Sequence, residues 1–290
     1  MTESEDRTAV ANTDEQAYWN SETGRRWIAQ QETLDAQLAA PTEQLLARAR
    51  IEAGEYALDI GCGTGTTSLA VAGRVGDRGT VLAVDISAPM LDRAAERARE
   101  AGIDNIAFQL ADAQTHRFAE GTVDLAVSRF GVMFFVDPVA AFANFGRALK
   151  PGGRLECVCW GPLAENPWFR IPREAAIRHL GAPEPTDPRA PGPMAFAEAA
   201  YVEAILAGAG FERIAIEPET VPLSGLKTAE AVAEFACEMG PANRLIRAHE
   251  PPPETMEAIR REIVQGFQEF AGPEGMRIPG RFNYLRARWP

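Results

Sequence analysis

The stretch that decides the fold is Leu58-Asp59-Ile60-Gly61-Cys62-Gly63-Thr64-Gly65. The apolar run Tyr56 to Ile60 reads as a short buried strand, and it stops at three alternating glycines. Thr67-Ser68-Leu69-Ala70-Val71-Ala72 then begins a helical pattern. A strand that turns into a helix over glycines brings backbone close to a ligand and offers the free N–H groups of a helix start. A dinucleotide fingerprint needs G-x-G-x-x-G, which would put its third glycine at Thr66; here it falls one residue early, at Gly65. Asp59 stands two residues ahead of Gly61.

Outward from this loop, strands and helices alternate. Thr80 to Asp85 is a second strand, and its terminal acid lies about twenty residues beyond the loop, where nucleotide-binding α/β folds keep the acid that takes a ribose diol. Ser87 reads as the cap of a helix with an apolar stripe at Met90, Leu91, Ala94, Ala95 and Ala98. Asn105 to Leu110 is a third strand, followed by Asp112-Ala113. Val123 to Phe130 is the fourth, passing through Ser128 and Arg129. Asp137-Pro138 opens a helix to Leu149, and after the turn Lys150 to Gly153 a fifth strand runs to Trp160. This alternation implies a parallel sheet with right-handed crossovers.

Asp59 with its glycines, Asp85, Asp112 and the turn Leu149 to Gly153 together resemble class I S-adenosylmethionine-dependent methyltransferases. The tone is that of the small-molecule enzymes of ubiquinone and menaquinone biosynthesis. The likeness spans residues 56 to 160. It implies a Rossmann-like, seven-stranded, mostly parallel sheet with an antiparallel last strand and a helical cap. It also implies S-adenosylmethionine as cofactor. Asp59 would hold the methionine ammonium, Gly61, Gly63 and Gly65 would let backbone approach, and Asp85 would take the ribose hydroxyls. Ile86 and Met90 would flank the adenine, Asp112 and Ala113 would read its edge, and Ser128 would lie where the methyl points. Arg129 is the candidate for orienting a substrate, with bracing of the strand end as its competing role. His249 is the candidate base. Tyr18, Trp19, Trp27, Phe130, Trp160 and Trp168 are candidates for a lid and substrate wall, or for plain core packing.

The fourth strand also excludes. Base-amino methyltransferases place Asp or Asn and then Pro-Pro there, cytosine-C5 enzymes need a Pro-Cys nucleophile, and catechol enzymes need acids for magnesium. Ser128-Arg129-Phe130-Gly131 supplies none of these. A formal net charge of −12 without a basic run argues against a phosphate-backbone partner. The four cysteines fall at no metal-ligand spacing, and Cys157 and Cys159 share one strand face as small core residues, so no metal site is expected. No apolar stretch is long enough to span a membrane. The acidic opening Met1 to Asp6 is unlike a secretory leader, so a cytoplasmic location is expected.

The expected organisation is a helical lid over residues 1–50 and a cofactor-binding core over 51–161. Insertion helices and the sixth strand follow over 162–225, a helical cap over 226–280, and the last strand over 281–290. Residues 1 to about 14 are expected to fray. Within these units we expect one or two helices before the first strand and a helix at Trp168 to Leu180. Further on, a helix at Phe196 to Ala209, a strand at Glu212 to Ile216, and helices at Thr228 to Met239 and Glu254 to Phe270 are expected. The expected activity is methyl transfer to a small molecule at O, N or C. Its rivals are non-methylating chemistry on the same fold (cyclisation, hydroxylation or decarboxylation) and a non-catalytic cofactor-binding subunit. The oligomeric state is left open, a homodimer included.

Overall fold

β1 (Tyr56–Ile60) lies inside a seven-stranded sheet: Ala57, Leu58 and Ile60 are fully buried, and the one charged residue of the strand, Asp59, is buried with them. The computed structural model describes residues 11–290, so the expected fraying of residues 1–10 lies outside the described part. Helices α1 (Thr13–Trp19), α2 (Glu22–Ala29), α3 (Gln31–Gln37) and α4 (Ala39–Arg48) precede β1. The chain then runs through α5 (Thr66–Val75), β2 (Thr80–Asp85), α6 (Ala88–Glu100), β3 (Ile106–Leu110), β4 (Val123–Arg129), α7 (Pro138–Ala148) and β5 (Leu149–Trp160). Next come α8 (Pro167–Leu180), α9 (Ala199–Gly208), β6 (Glu212–Leu223), α10 (Ala229–Glu238), α11 (Pro241–His249) and α12 (Pro253–Phe267). A two-residue pair, β7 (Ala271–Gly272) with β8 (Gly275–Met276), leads into β9 (Ile278–Arg288).

The sheet order is β3-β2-β1-β4-β5-β9-β6. The first five strands pair in parallel, and β9 inserts antiparallel between β5 and β6. The order reverses at β1, whose neighbours are β2 and β4. The crevice at such a reversal, beyond the strand C-termini, is where open α/β sheets bind ligands.

The expected strands β1 and β2 match residue for residue, and the fold class is the expected one. β6 runs on to Leu223, seven residues past the expected end. Pro218 and Pro222 hid it from a sequence reading, yet β6 is an edge strand, and there a proline's missing N–H costs no ladder bond. The N-terminal region forms four short helices where one or two were expected, because Asn20-Ser21, Gln30 and Leu38 interrupt the turns. Leu34, Leu38, Leu45 and Leu46 join the main core beneath the sheet. Residues 11–14 also depart from expectation: Asn12 is buried and α1 starts at Thr13. Ser87 precedes α6 but makes no cap bond; its hydroxyl donates to Trp19 O at 2.9 Å. α11 was not expected; Pro241, at its first turn, reads in sequence as a breaker.

α8, α10, α11 and α12 pack on one another. Trp168 sits inside that packing, its ring 5.6 Å from Phe235 and 6.5 Å from Phe267. Among the described residues no helix is long and apolar enough to cross a membrane.

Candidate functional site

The glycine loop is pinned to β2: the amides of Gly61 and Cys62 both donate to Val84 O, at 2.8 and 3.1 Å. Gly61 and Gly63 are glycines for different reasons. Both have positive φ, +65° and +54°. A Cβ on Gly61 would lie 2.7 Å from Gly131 Cα, so the tips of β1 and β4 touch backbone to backbone. A Cβ on Gly63 would meet nothing nearer than Met90 Sδ at 3.8 Å, so the space over Gly63 is not taken by packing. Gly65 is the N-cap of α5 with φ +87°, and no side chain caps that helix start.

The three acids sit at three strand ends but in different states. Asp59 is fully buried; Ser68 Oγ donates to its Oδ2 at 2.6 Å, while Oδ1 has no partner. Burial pushes the Asp59 carboxyl up to about 7, against the pull of the Ser68 hydroxyl and the Arg129 charge. Asp85 Oδ2 accepts from Gly63 N at 2.7 Å and its Oδ1 from Ser87 N at 2.8 Å. Burial raises its pKa, and these backbone donors hold it back. The second-strand acid therefore meets the glycine loop directly. Asp112 is saturated by the chain itself, chiefly by Ala11 and Asn12. Ala113 is buried beside it, and its carbonyl takes Asn144 Nδ2 at 2.9 Å.

Ile86 and Met90 flank the β2 end. Ile86 is half-buried with its carbonyl bonded to Asn20 Nδ2 at 3.1 Å, and Met90 is buried. Ser128 is turned inward: its fully buried hydroxyl donates to Ile60 O at 2.7 Å and accepts from Gly131 N at 3.2 Å. The bond to Ile60 staples β4 to β1, which corrects the expectation that Ser128 faces a ligand. Phe130 has φ +65°, a conformation uncommon for a residue with a Cβ. Its ring stacks on Trp160 at 5.1 Å, and Trp160 in turn meets Phe169 and Phe282, both at 4.7 Å.

Arg129 has a carboxylate partner, Asp35 of α3, and also reaches Thr42 Oγ1 at 3.3 Å. Burial lowers the Arg129 pKa, and Asp35 and Asp59 act to keep it charged. The N-terminal helices fold over the strand ends. Trp19 packs edge-on against Trp27 at 5.6 Å and Phe134 at 5.3 Å, and Tyr18, which is exposed, meets Trp19 at 5.3 Å. Asn20 bridges this layer to the start of α6 by accepting from Ala88 N at 3.1 Å.

Two expected residues stand apart. His249 is exposed at the end of α11, and its Nδ1 bonds Leu245 O within its own helix at 3.0 Å. Trp168 is core among the later helices, as above. Conversely, sequence reasoning missed Asn12, Asn20 and Asp35. Each is a polar residue on or beside a short helix, and no local spacing ties it to partners some 60 to 100 residues away.

Residues 57–153 match the family model described as a methyltransferase domain. Aklanonic acid methyltransferase DauC of Streptomyces sp. (strain C5) is 38% identical over 102 residues, 35% of this chain and 46% of that protein. The ubiquinone/menaquinone biosynthesis C-methyltransferase UbiE of Cellvibrio japonicus (strain Ueda107) is 41% identical over 106 residues, 36% of this chain and 43% of that one. The chain thus spans less than half the length of these curated relatives. The structure of a Haemonchus contortus phosphoethanolamine N-methyltransferase 2, in complex with phosphomonomethylethanolamine and S-adenosylhomocysteine, superposes with a TM-score of 0.59. At 18% identity, over 97% of this chain and 61% of that one, it shares the fold. Residues 57–153 thus match a methyltransferase domain, and the chain holds them in a seven-stranded fold that it shares with that structure.

Proposed function

We propose that this chain transfers a methyl group from S-adenosylmethionine to a small-molecule acceptor at O, N or C. One observation carries the reading: two buried acids, Asp59 with an unpartnered oxygen and Asp85 bonded to the loop amide of Gly63, meet the glycine turn at the β1/β4 reversal. A buried, orphaned carboxylate oxygen is costly unless a donor arrives, and a ligand ammonium is such a donor. The residues present therefore fit the cofactor.

When bound, S-adenosylmethionine supplies a methyl group on an already positive sulfonium. The protein's share is then positioning, exclusion of water and, for some acceptors, taking up a proton. Asp59 would hold the ammonium, Gly63 would admit backbone contact, and Asp85 would meet the ribose hydroxyls. Ile86 and Met90 would border the base, with Ala113 near its edge. Phe130, stacked on Trp160, would form the acceptor's aromatic wall, and Trp19 with Tyr18 and Trp27 would close the crevice against solvent. We take residues 1–50 as the lid, 51–161 as the cofactor core, and 162–225 and 226–280 as insertions, with 281–290 closing the sheet. The four free, buried cysteines favour a reducing, cytoplasmic setting.

The test is calorimetric titration with S-adenosylmethionine and S-adenosylhomocysteine, followed by an S-adenosylhomocysteine release assay over phenolic, quinone-like and amine acceptors. Absence of binding overturns the proposal. Binding without product across acceptors would move the assignment to non-methylating chemistry.

A further inference from the structure

Asp112 is more heavily occupied than a strand-end acid needs to be. Its Oδ2 accepts from Ala11 N at 2.9 Å, Asn12 N at 3.0 Å and Asn12 Nδ2 at 3.0 Å. Its Oδ1 accepts from Asn12 Nδ2 and Gln114 N, both at 2.9 Å. A carboxylate offers about four lone-pair sites, so no capacity is left for another donor. The rest of the Asn12 carboxamide is used too: Val136 N donates to its Oδ1 at 2.7 Å, and its Nδ2 also reaches Gln114 Oε1 at 3.2 Å. Asn12 and Asp112 are both buried, and they lie 100 residues apart in sequence.

The bound carboxamide presents a donor and an acceptor side by side, one to an acid and one to a backbone N–H. An aminopurine presents the same alternation through its exocyclic amine and the adjacent ring nitrogen. We infer that Ala11 and Asn12 form a strap over the base-recognition position, and that the strap and the adenine of the cofactor compete for Asp112. The inference rests on the cofactor reading above. Because a neutral amide and a neutral amine exchange at one acid, side-chain bonding alone nearly balances. The two main-chain donors, Ala11 N and Asn12 N, tip the free chain toward the strapped state. The strap continues into α1 and so to Trp19 O and Asn20, which hold Ser87 and the start of α6. Release at Asp112 therefore frees one end of the layer that covers the crevice. The observed affinity is the intrinsic one scaled by the fraction of chains with the strap released.

The test uses the full chain and S-adenosylhomocysteine. Asn12→Ala removes the carboxamide, and Asn12→Asp sets a like charge against Asp112. Both should lower Kd by about three- to tenfold, read on variants shown to be folded, even though the loss of buried bonds lowers their melting temperature. Hydrogen exchange supplies a readout apart from affinity: the amides of Ala11, Asn12 and Val136 should be protected in the free chain and exchange faster once ligand is added. Unchanged or weaker binding by both variants, or added protection at these amides, overturns the competition. Failure of the cofactor reading looks different: wild type and both variants all fail to bind, and the inference falls with it.

Discussion

Arg129 Nη2 stands 3.4 Å from Asp35 Oδ1, and the same carboxylate takes Arg97 Nη2 at 2.9 Å and the Thr66 hydroxyl at 2.6 Å. One acid on α3 therefore fastens the N-terminal layer to β4, to α6 and to the first turn of α5. The side chains of Arg129 and Asp35 are only 15% and 18% exposed, so solvent screens the pair weakly.

This arrangement gives Arg129 a bracing geometry. Arg129→Met should lower stability by about 1–3 kcal/mol, less than a buried pair with no other partner would lose, because Asp35 keeps Arg97 and Thr66. Urea unfolding measures it. A variant with wild-type stability and turnover reduced tenfold or more would instead make Arg129 a substrate contact.

Asp85 serves the glycine loop and, under the proposed function, the ribose. Asp85→Ala should raise the Kd for S-adenosylhomocysteine by roughly ten- to a hundredfold, since charge-assisted hydrogen bonds are lost. Calorimetry on the folded variant decides; unchanged affinity would remove this residue from the cofactor site.

Asp59 makes the chain's stability depend on pH. Its folded pKa of about 7 lies above its ordinary value of 3.8, so between these limits the folded chain holds a proton that the unfolded chain has lost. Stability from this group is full below about pH 4 and falls as pH rises to 7. Asp59→Asn should therefore gain stability relative to wild type at pH 8 compared with pH 5, by on the order of 1–3 kcal/mol. Denaturant melts at the two pH values give the difference, and an equal gap at both would refute the burial argument.

The same acid predicts proton release on binding. A ligand ammonium beside Oδ1 favours the charged carboxylate and pulls its pKa down. Titrations near pH 6.5 in buffers of different ionisation enthalpy should report up to about one proton released by wild type and none by Asp59→Asn. Buffer-independent heats in wild type would remove the ammonium from Asp59.

Gly61 and Gly63 should separate stability from binding. Gly61→Ala combines a left-handed backbone with a clash against Gly131 and should cost about 2–5 kcal/mol. Gly63→Ala carries only the conformational cost, about 1–2 kcal/mol, but puts a methyl into the open space over the loop, so its larger effect should be on cofactor affinity. Equal destabilisation by both would contradict the contact geometry.

Much of this molecule was legible in its sequence where the physics is local. A five-residue segment that is apolar but for one acid and is stopped by glycines can hardly be anything but a buried strand entering a tight turn, so β1 and the loop were found to the residue. Asp137 capping α7 is equally local: its Oδ1 takes Ala140 N at 3.0 Å, three residues away. Gly61 was found for its spacing, but its collision with Gly131 was not, because that contact joins two strand tips brought together only by sheet pairing.

The sequence by itself determined the alternation of strands and helices and the acids at the three strand ends, because each follows from periodicity, turn chemistry or a motif of fixed spacing; the antiparallel direction of the last strand came only from the family resemblance. Tertiary structure alone decided what those acids touch. Asp59 keeps one oxygen unpaired, Asp85 holds the loop, and Asp112 is filled by Asn12. It also decided that Arg129 meets Asp35, that Ser128 staples two strands, and that His249 stays within its own helix. The reason is the range of the interactions. A hydrogen bond between residues a hundred positions apart leaves no pattern in the chain, since only the folded sheet sets the distance between them.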